Sequence, residues 1–381
     1  MSFIDSLVVY VDHFFDYVVP FLIILTIVVF VHELGHYLVA RRNGVRVEVF
    51  SIGFGKELWG WTDRVGTRWK ISAIPLGGYV KMFGEFDAED DAPEDFEMSP
   101  DDIAGSFHHK RLGQRAAIVV AGPVANFVFA IVVLAGVYGL VGNPAPKAAV
   151  GQVMPDSAAA DAGIVAGDLF VSINDEEVIW FEDLYRIVSS SPGLPLLMVI
   201  DRGGETVSLT AIPKRVSDAS GGEIGQLGVR HDPTQIGYER MGPFVAMWLS
   251  VQRSFGLAVE ILSYVRDVFV GNRSADGVRG VVGIAQMSGE ICQGGIVRCI
   301  FFASALSVNL GLINLFPIPM LDGGHLVFYA AEGIRGRRVN KRVQEYGFRF
   351  GLVLVIMLFV FATWNDLVHL EVFEFIRQLV T

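Results

Sequence analysis

The stretch VVPFLIILTIVVFVHELGHYLVA, residues 18–40, decides the reading of this chain. It is apolar over the roughly 20 residues that a membrane-spanning helix needs, and Arg41-Arg42 close it. Near its end it carries three ionisable side chains, in His32-Glu33-Leu34-Gly35-His36. Positions four apart share one face of a helix, so both imidazoles can reach a single ion, with Glu33 beside them. Zinc suits such a pair, because it acidifies a water for which Glu33 is the base and brings no redox chemistry. Ionisable groups at membrane depth mark functional sites.

Two histidines leave a catalytic zinc site one protein ligand short. The third should be another ionisable group at membrane depth. Asp322 meets that description in the segment Asn314-Leu315-Phe316-Pro317-Ile318-Pro319-Met320-Leu321-Asp322-Gly323-Gly324. Its two prolines break a helix there, and a broken helix at depth is tolerated where it lines a cavity. His325 is the competing ligand, and capping of a helix that starts near Gly323 is the structural alternative for Asp322. Asn309 and Asn314 could hold a substrate backbone or a developing oxyanion, or simply bond between helices.

Three more spans are expected, at 116–142, 297–321 and 348–364. The basic residues His108, His109, Lys110, Arg111 and Arg115 precede the second, and Arg335, Arg337, Arg338, Lys341 and Arg342 separate the last two. Positive residues mark the cytoplasmic side, so both links lie inside and both termini and 143–296 lie outside. The first and third spans then run the same way, and His36 and Asp322 meet near their inner ends. Asp5, Asp12 and Asp16 argue against a cleavable signal peptide. The stretch 244–270 holds Arg253, Glu260, Arg266 and Asp267 and reads as an amphipathic helix at the membrane surface.

Between these spans, 46–84 has strand character. RWKISAIPLGGYVKM, residues 68–82, contains Pro75 and Gly77-Gly78, which fit an edge strand or a strand approached by another backbone. Residues 85–102 hold ten acidic side chains and read as a solvated loop. Residues 146–232 alternate short apolar runs with turns such as Asp201-Arg202-Gly203-Gly204, as a small α+β domain would, with one short helix at 180–190. The expected divisions are 1–45, 46–111, 112–142, 143–232, 233–296, 297–333 and 334–381.

Composition narrows the function. Of the 381 residues, 52% are hydrophobic and 19% charged, which is too apolar for a soluble surface. A formal charge of −11 makes nucleic acid a poor partner. Cys292 and Cys299 are too few for a disulfide framework or a four-cysteine zinc site and read as buried thiols. The chain is therefore a multi-pass α-helical membrane protein with four transmembrane helices. A membrane-associated β-hairpin and one extracytoplasmic α+β domain complete it.

The first-span motif, the N-x-x-P-x-P-x-L-D-G run of the third and AAADAGIVAGDLFVSIND at 158–175 together resemble the site-2 protease family, in its bacterial RseP-like branch. The likeness covers almost the whole chain. It implies an intramembrane zinc metalloendopeptidase of the bacterial cytoplasmic membrane, with His32, His36 and Asp322 as zinc ligands and Glu33 as catalytic base. The 53–82 hairpin would offer an edge, around Pro75, Gly77, Gly78 and Tyr79, to an extended substrate. Asn309, Asn314, Pro317 and Pro319 would contact substrate in the third span. The implied substrates are single-span membrane proteins trimmed beforehand, such as an anti-sigma factor, or remnant signal peptides. The 158–175 segment is similar to bacterial PDZ domains, which bind extended peptides or C-terminal tails. The best-known members carry two such domains in tandem, and this chain has room for one. Two other readings stay open, a membrane scaffold with a structural zinc and a metal transporter. Spans two and four offer a transporter little polar lining beyond Asn126 and Thr363.

Overall fold

The computed structural model describes residues 14–84, 99–217 and 223–369. Most of the acidic stretch, 85–98, lies outside these residues. The chain divides into two compact units, one of residues up to 135 together with those from 247 on, the other of residues 136–246.

The first unit is built on helices. A short π-helical turn, Phe14–Val18, leads into α1, Val19–Arg42. Pro20 in its first turn costs no hydrogen bond there. Asn43 ends it, donating its side-chain amide to the Val39 carbonyl at 2.8 Å. Two strands follow, β1, Val47–Thr62, and β2, Arg68–Met82. They form more than a simple hairpin, because each bends and changes partner. Residues 47–52 pair on one side with 78–82 (Val47 with Met82, Ile52 with Gly78) and on the other with 68–71 (Val49 with Arg68, Ile52 with Ile71). Beyond the bend, Glu57 pairs with Ser72 and Thr62 with Arg68. Gly53, Gly55 and Gly77 take positive φ at these bends. The 78–82 segment is thus an outer edge. The sheet rests on α1 through Phe50, which meets Phe30 at 5.5 Å and Tyr37 at 5.8 Å between ring centroids.

Next come α2, Leu112–Leu140, α3, Pro243–Val270, α4, Val281–Gln293, and α5, Ile296–Asn314. A turn over 315–321 then gives way to α6, Asp322–Arg335, and the unit closes with α7, Lys341–His369. The expected third span is thus a helix that stops at Asn314. Leu321 occupies the N-cap of α6 and Asp322 its first turn, so the Asp322 side chain does not cap. Met320, just before them in the turn, has φ 102°, a costly conformation for a side chain with a Cβ.

Five helices among the described residues are long and apolar enough to cross a membrane, against the four expected. The additional one is α3, the stretch expected at the surface. Two of its four charges face each other, Arg253 and Glu260 at 3.3 Å, and the rest of the helix is apolar enough to qualify. The expected buried thiols are also corrected: Cys292 and Cys299 are joined in a disulfide across the α4–α5 junction. Their seven-residue separation lets the turn at 294–295 bring them together.

The second unit carries a four-stranded sheet in the order Glu176–Glu177, Leu169–Ile173, Leu196–Arg202, Glu205–Ala211. The helix Phe181–Ser189 puts Leu184 into a core with Phe170, Ile173, Met198 and Ile200. Gly163 and Gly167 have φ of +75° and +93°, which accounts for two glycines of the 158–175 pattern as turn residues. Asp168 is fully buried, paired through both oxygens with Arg202 at 2.7 and 2.8 Å.

Candidate active site

The helical period places His32 and His36 one above the other on α1, and the break after α5 delivers Asp322 to the same point. His32 Nε2 lies 3.2 Å from His36 Nε2, and Asp322 Oδ2 lies 3.2 Å from the first and 3.4 Å from the second. Both rings are buried. His36 Nδ1 sits 2.9 Å from the Ile118 carbonyl of α2. A carbonyl only accepts, so that nitrogen carries the proton and Nε2 presents a lone pair to the centre. Asp322 Oδ2 is buried without a hydrogen-bond donor. Lone pairs facing one another in a buried triangle call for a cation.

The triangle has the dimensions for zinc. With Zn–N and Zn–O bonds of about 2.0–2.2 Å, ligand atoms on a tetrahedron stand about 3.3–3.5 Å apart. The observed edges of 3.2, 3.2 and 3.4 Å match this. These three residues are the group of metal-ligand type that converges here among the described residues. His325, the rival candidate, is not part of it; its ring lies 5.2 Å from Phe348 and 6.5 Å from Tyr329.

Glu33 and Val80 line the same chamber, so the catalytic-base candidate faces the outer strand edge. Gly78 brings that edge close: a Cβ on it would stand 3.4 Å from Glu33 Cγ and 3.2 Å from Val29 Cγ1. His32, Glu33, His36, Tyr79, Val80, Asn314 and Asp322 share the lining of one chamber of ≈ 1230 Å³. Asn309, Pro75, Gly77, Pro317 and Pro319 are not on its wall. Pro75 is exposed on the sheet, and Pro319 lies against Gly351 of α7.

Helix α2 supplies residues to which the sequence gives no role in the site. Ile118, Gly122 and Asn126 follow at intervals of four and form one stripe toward the histidines. A Cβ on Gly122 would stand 2.2 Å from His36 Nε2 and 2.8 Å from His32 Cε1, so only glycine leaves the space. Asn126 is fully buried with its side-chain nitrogen 3.4 Å from His32 Nδ1. The four-residue interval in an otherwise bulky apolar helix is the signal that points to them. On the side where basic residues gather, Arg115 of α2 bonds Glu332 of α6 at 2.6 Å and ties the Asp322 helix down.

The sequence profile of Peptidase family M50 matches residues 20–358. The chain is 44% identical over 364 residues to a protein named as a zinc metalloprotease in Rhizobium meliloti (strain 1021), covering 92% of this chain and 96% of that one. To another so named in Agrobacterium fabrum it is 44% identical over 359 residues, with 92% and 95% covered. To metalloprotease MmpA of Caulobacter vibrioides it is 36% identical over 392 residues, with 95% and 98% covered. Among solved structures it is similar to the PDZ domain of an SdrC-like protein from Listeria monocytogenes, 20% identical with a TM-score of 0.19, over 23% of this chain and 87% of that one. A profile match over most of the chain and relatives above 40% identity along nearly their full length place it: the chain belongs to peptidase family M50, the site-2 protease family, and is a zinc metalloprotease.

Proposed function

We propose that this protease cuts single-span membrane proteins within the bilayer, after another protease has trimmed them on the outer side. Membrane-bound anti-sigma factors and remnant signal peptides are the substrates we favour. One observation carries this reading: the candidate ligands sit on or directly after helices apolar enough to cross a membrane, and a strand edge shares their chamber.

His32, His36 and Asp322 would hold the metal, which when bound polarises the scissile carbonyl and acidifies a water. Glu33 takes the proton of the attacking water and passes it to the departing amide nitrogen. A helical substrate hides its carbonyls in its own ladder, so it must be drawn out. The 78–82 edge, which includes Gly78 and Tyr79, offers backbone partners for an extended segment beside Glu33. Asn314 on the chamber wall holds a substrate carbonyl. Pro317 and Pro319 keep the break that delivers Asp322, and Asn309, Pro75 and Gly77 act from outside the chamber.

Two independent features support an orientation with the site toward the cytoplasm. The basic clusters gather at the end of the helices where Arg115, Ile118 and Glu332 meet the site. The Cys292–Cys299 disulfide lies at the start of α5, the end remote from Asp322, and disulfides persist on the oxidising side. Four spans remain our reading. Gly289 of α4 packs on Asp16 and Tyr17 at the start of α1, and Gly280 and Gly283 receive Asp366 near the end of α7. Helix α4 thus lies at the outer ends of the spans. A full crossing by α3 would strand it on the other side, so α3 is not counted as a span, although Ala258 in its middle packs against Ala130 of α2 and Val308 and Leu312 of α5. The 143–232 region serves as a single extracytoplasmic PDZ-like domain for an extended peptide or C-terminal tail.

The test compares wild type, Glu33→Gln and Asp322→Asn, purified in detergent, on a single-span reporter whose ectodomain has been removed. Product from wild type alone, with zinc kept in Glu33→Gln and weakened in Asp322→Asn, is expected. Full turnover by Glu33→Gln would overturn the assignment, and zinc bound without turnover on any trimmed substrate would favour a scaffold.

A further inference from the structure

We infer that Asn126 is a positioning residue of the zinc site: its side-chain oxygen accepts the Nδ1–H of His32 and so fixes the tautomer and the plane of that ring. The inference rests on the ligand assignment proposed above.

His36 has its outer nitrogen settled by the Ile118 carbonyl, 2.9 Å away. His32 must meet the same requirement, because its Nε2 points at His36 and Asp322 and can bind a cation only as a lone pair. The proton then sits on Nδ1 and needs an acceptor. Asn126 is the side chain that the structure places there, at 3.4 Å, and it is fully buried. As drawn, its nitrogen faces Nδ1 while its oxygen, also buried, has no partner at all. The oxygen and nitrogen of an amide are interchangeable by a half-turn of the group. That half-turn sets an acceptor against the ring proton and removes the orphaned oxygen.

The amide is also held in place. Ser307 of α5 donates to the Asn126 backbone carbonyl at 3.0 Å. A Cβ on Gly311 of α5 would stand only 3.2 Å from Asn126 Cβ, so the two helices close on it. A buried group pinned between α2 and α5, with its polar end on a ligand ring, behaves as the outer partner that ligating histidines require. Removing such partners commonly weakens metal binding by about 10–100-fold.

The experiment measures zinc affinity of the purified full-length chain in detergent, by competition with a chromophoric chelator, together with the melting temperature of each metal-stripped protein. Asn126→Leu removes the acceptor while keeping the branched shape at greater bulk, and Asn126→Ala removes it without adding bulk. Both should bind zinc about 10–100-fold more weakly while the metal-stripped proteins melt close to wild type. Asn126→Asp keeps an acceptor facing Nδ1 and should bind at least as tightly as wild type. If the apolar variants bind zinc as wild type does, the inference is overturned. It is equally overturned if Asn126→Asp is as weak as Asn126→Leu, since the position would then serve packing alone. His32→Ala runs alongside: full zinc affinity there would mean that the ligand assignment itself has failed.

Discussion

Gly122→Ala adds one methyl group to α2, and the structure says where it goes. The new Cβ stands 2.2 Å from His36 Nε2, 2.6 Å from His36 Cε1 and 2.8 Å from His32 Cε1. Ordinary contact lies near 3.5 Å, so the His36 ring must retreat by more than about 1 Å. Metal–ligand distances tolerate about 0.2 Å. Zinc can therefore be held only by keeping the clash, and overpacking of this kind costs about 1–3 kcal/mol. At about 1.4 kcal/mol per tenfold, that is a loss of roughly 5- to 150-fold in zinc affinity. The metal-free protein escapes the clash by turning the ring away, and alanine is the better helix former by about 1 kcal/mol. The expected signature is thus split. Metal-free stability stays level or rises, while the stabilisation gained on adding zinc shrinks. Chelator competition and melting with and without zinc read both quantities. Gly136→Ala, in the same helix with open space around it, is the control and should leave zinc binding unchanged. Wild-type zinc affinity in Gly122→Ala would refute the reasoning, because the cation would then not lie where the three ligand atoms converge.

Other predictions follow from single contacts. Burial of Asp168 opposes its charge, yet the two bonds from Arg202 and one from the Val165 N–H outweigh it and hold the carboxyl below the usual range. Its contribution is complete above the unfolded value of about 3.9 and is lost as pH falls through the lower folded value. Asp168→Asn should remove that acid dependence and cost about 2 kcal/mol, read by hydrogen exchange in 136–246 as a function of pH. Arg115→Met strands the half-buried Glu332 carboxylate and should cost about 2–3 kcal/mol in thermal unfolding, with Arg115→Met/Glu332→Met recovering most of it. Cys292 and Cys299 should resist thiol alkylation in intact cells until reduced, and Cys292→Ser should cost about 2 kcal/mol; free thiols in untreated cells would contradict the orientation.

Much of the site is legible in the sequence because helix geometry makes it so. His32 and His36 share a face by their spacing alone, and two prolines before Asp322 announce a break that leaves the helix axis. Gly122 and Asn126 are harder to see. A glycine in an apolar helix is common, and only the chamber it faces tells what its missing Cβ allows. The strand region reads as one hairpin because alternation and turn residues are local signals, whereas the bends at Gly53 and Gly77 let residues 47–52 pair with partners 19 to 35 residues away. The disulfide escapes for a similar reason. Two cysteines seven apart on one continuous helix would share a face but stand about 10.5 Å apart, too far to bridge, and only the turn at 294–295 brings them together. Helix α3 shows the limit of counting charges, since its pairing of Arg253 with Glu260 lies along the helix surface.

The most direct test of the account maps the bond that is cut. A trimmed single-span reporter is incubated with wild type and with Glu33→Gln, and the products are sequenced by mass spectrometry. One principal scissile bond inside the apolar span, toward its cytoplasmic half, is expected, with no such product from Glu33→Gln. Cleavage confined to residues outside the span, or the same products from Glu33→Gln, would contradict it.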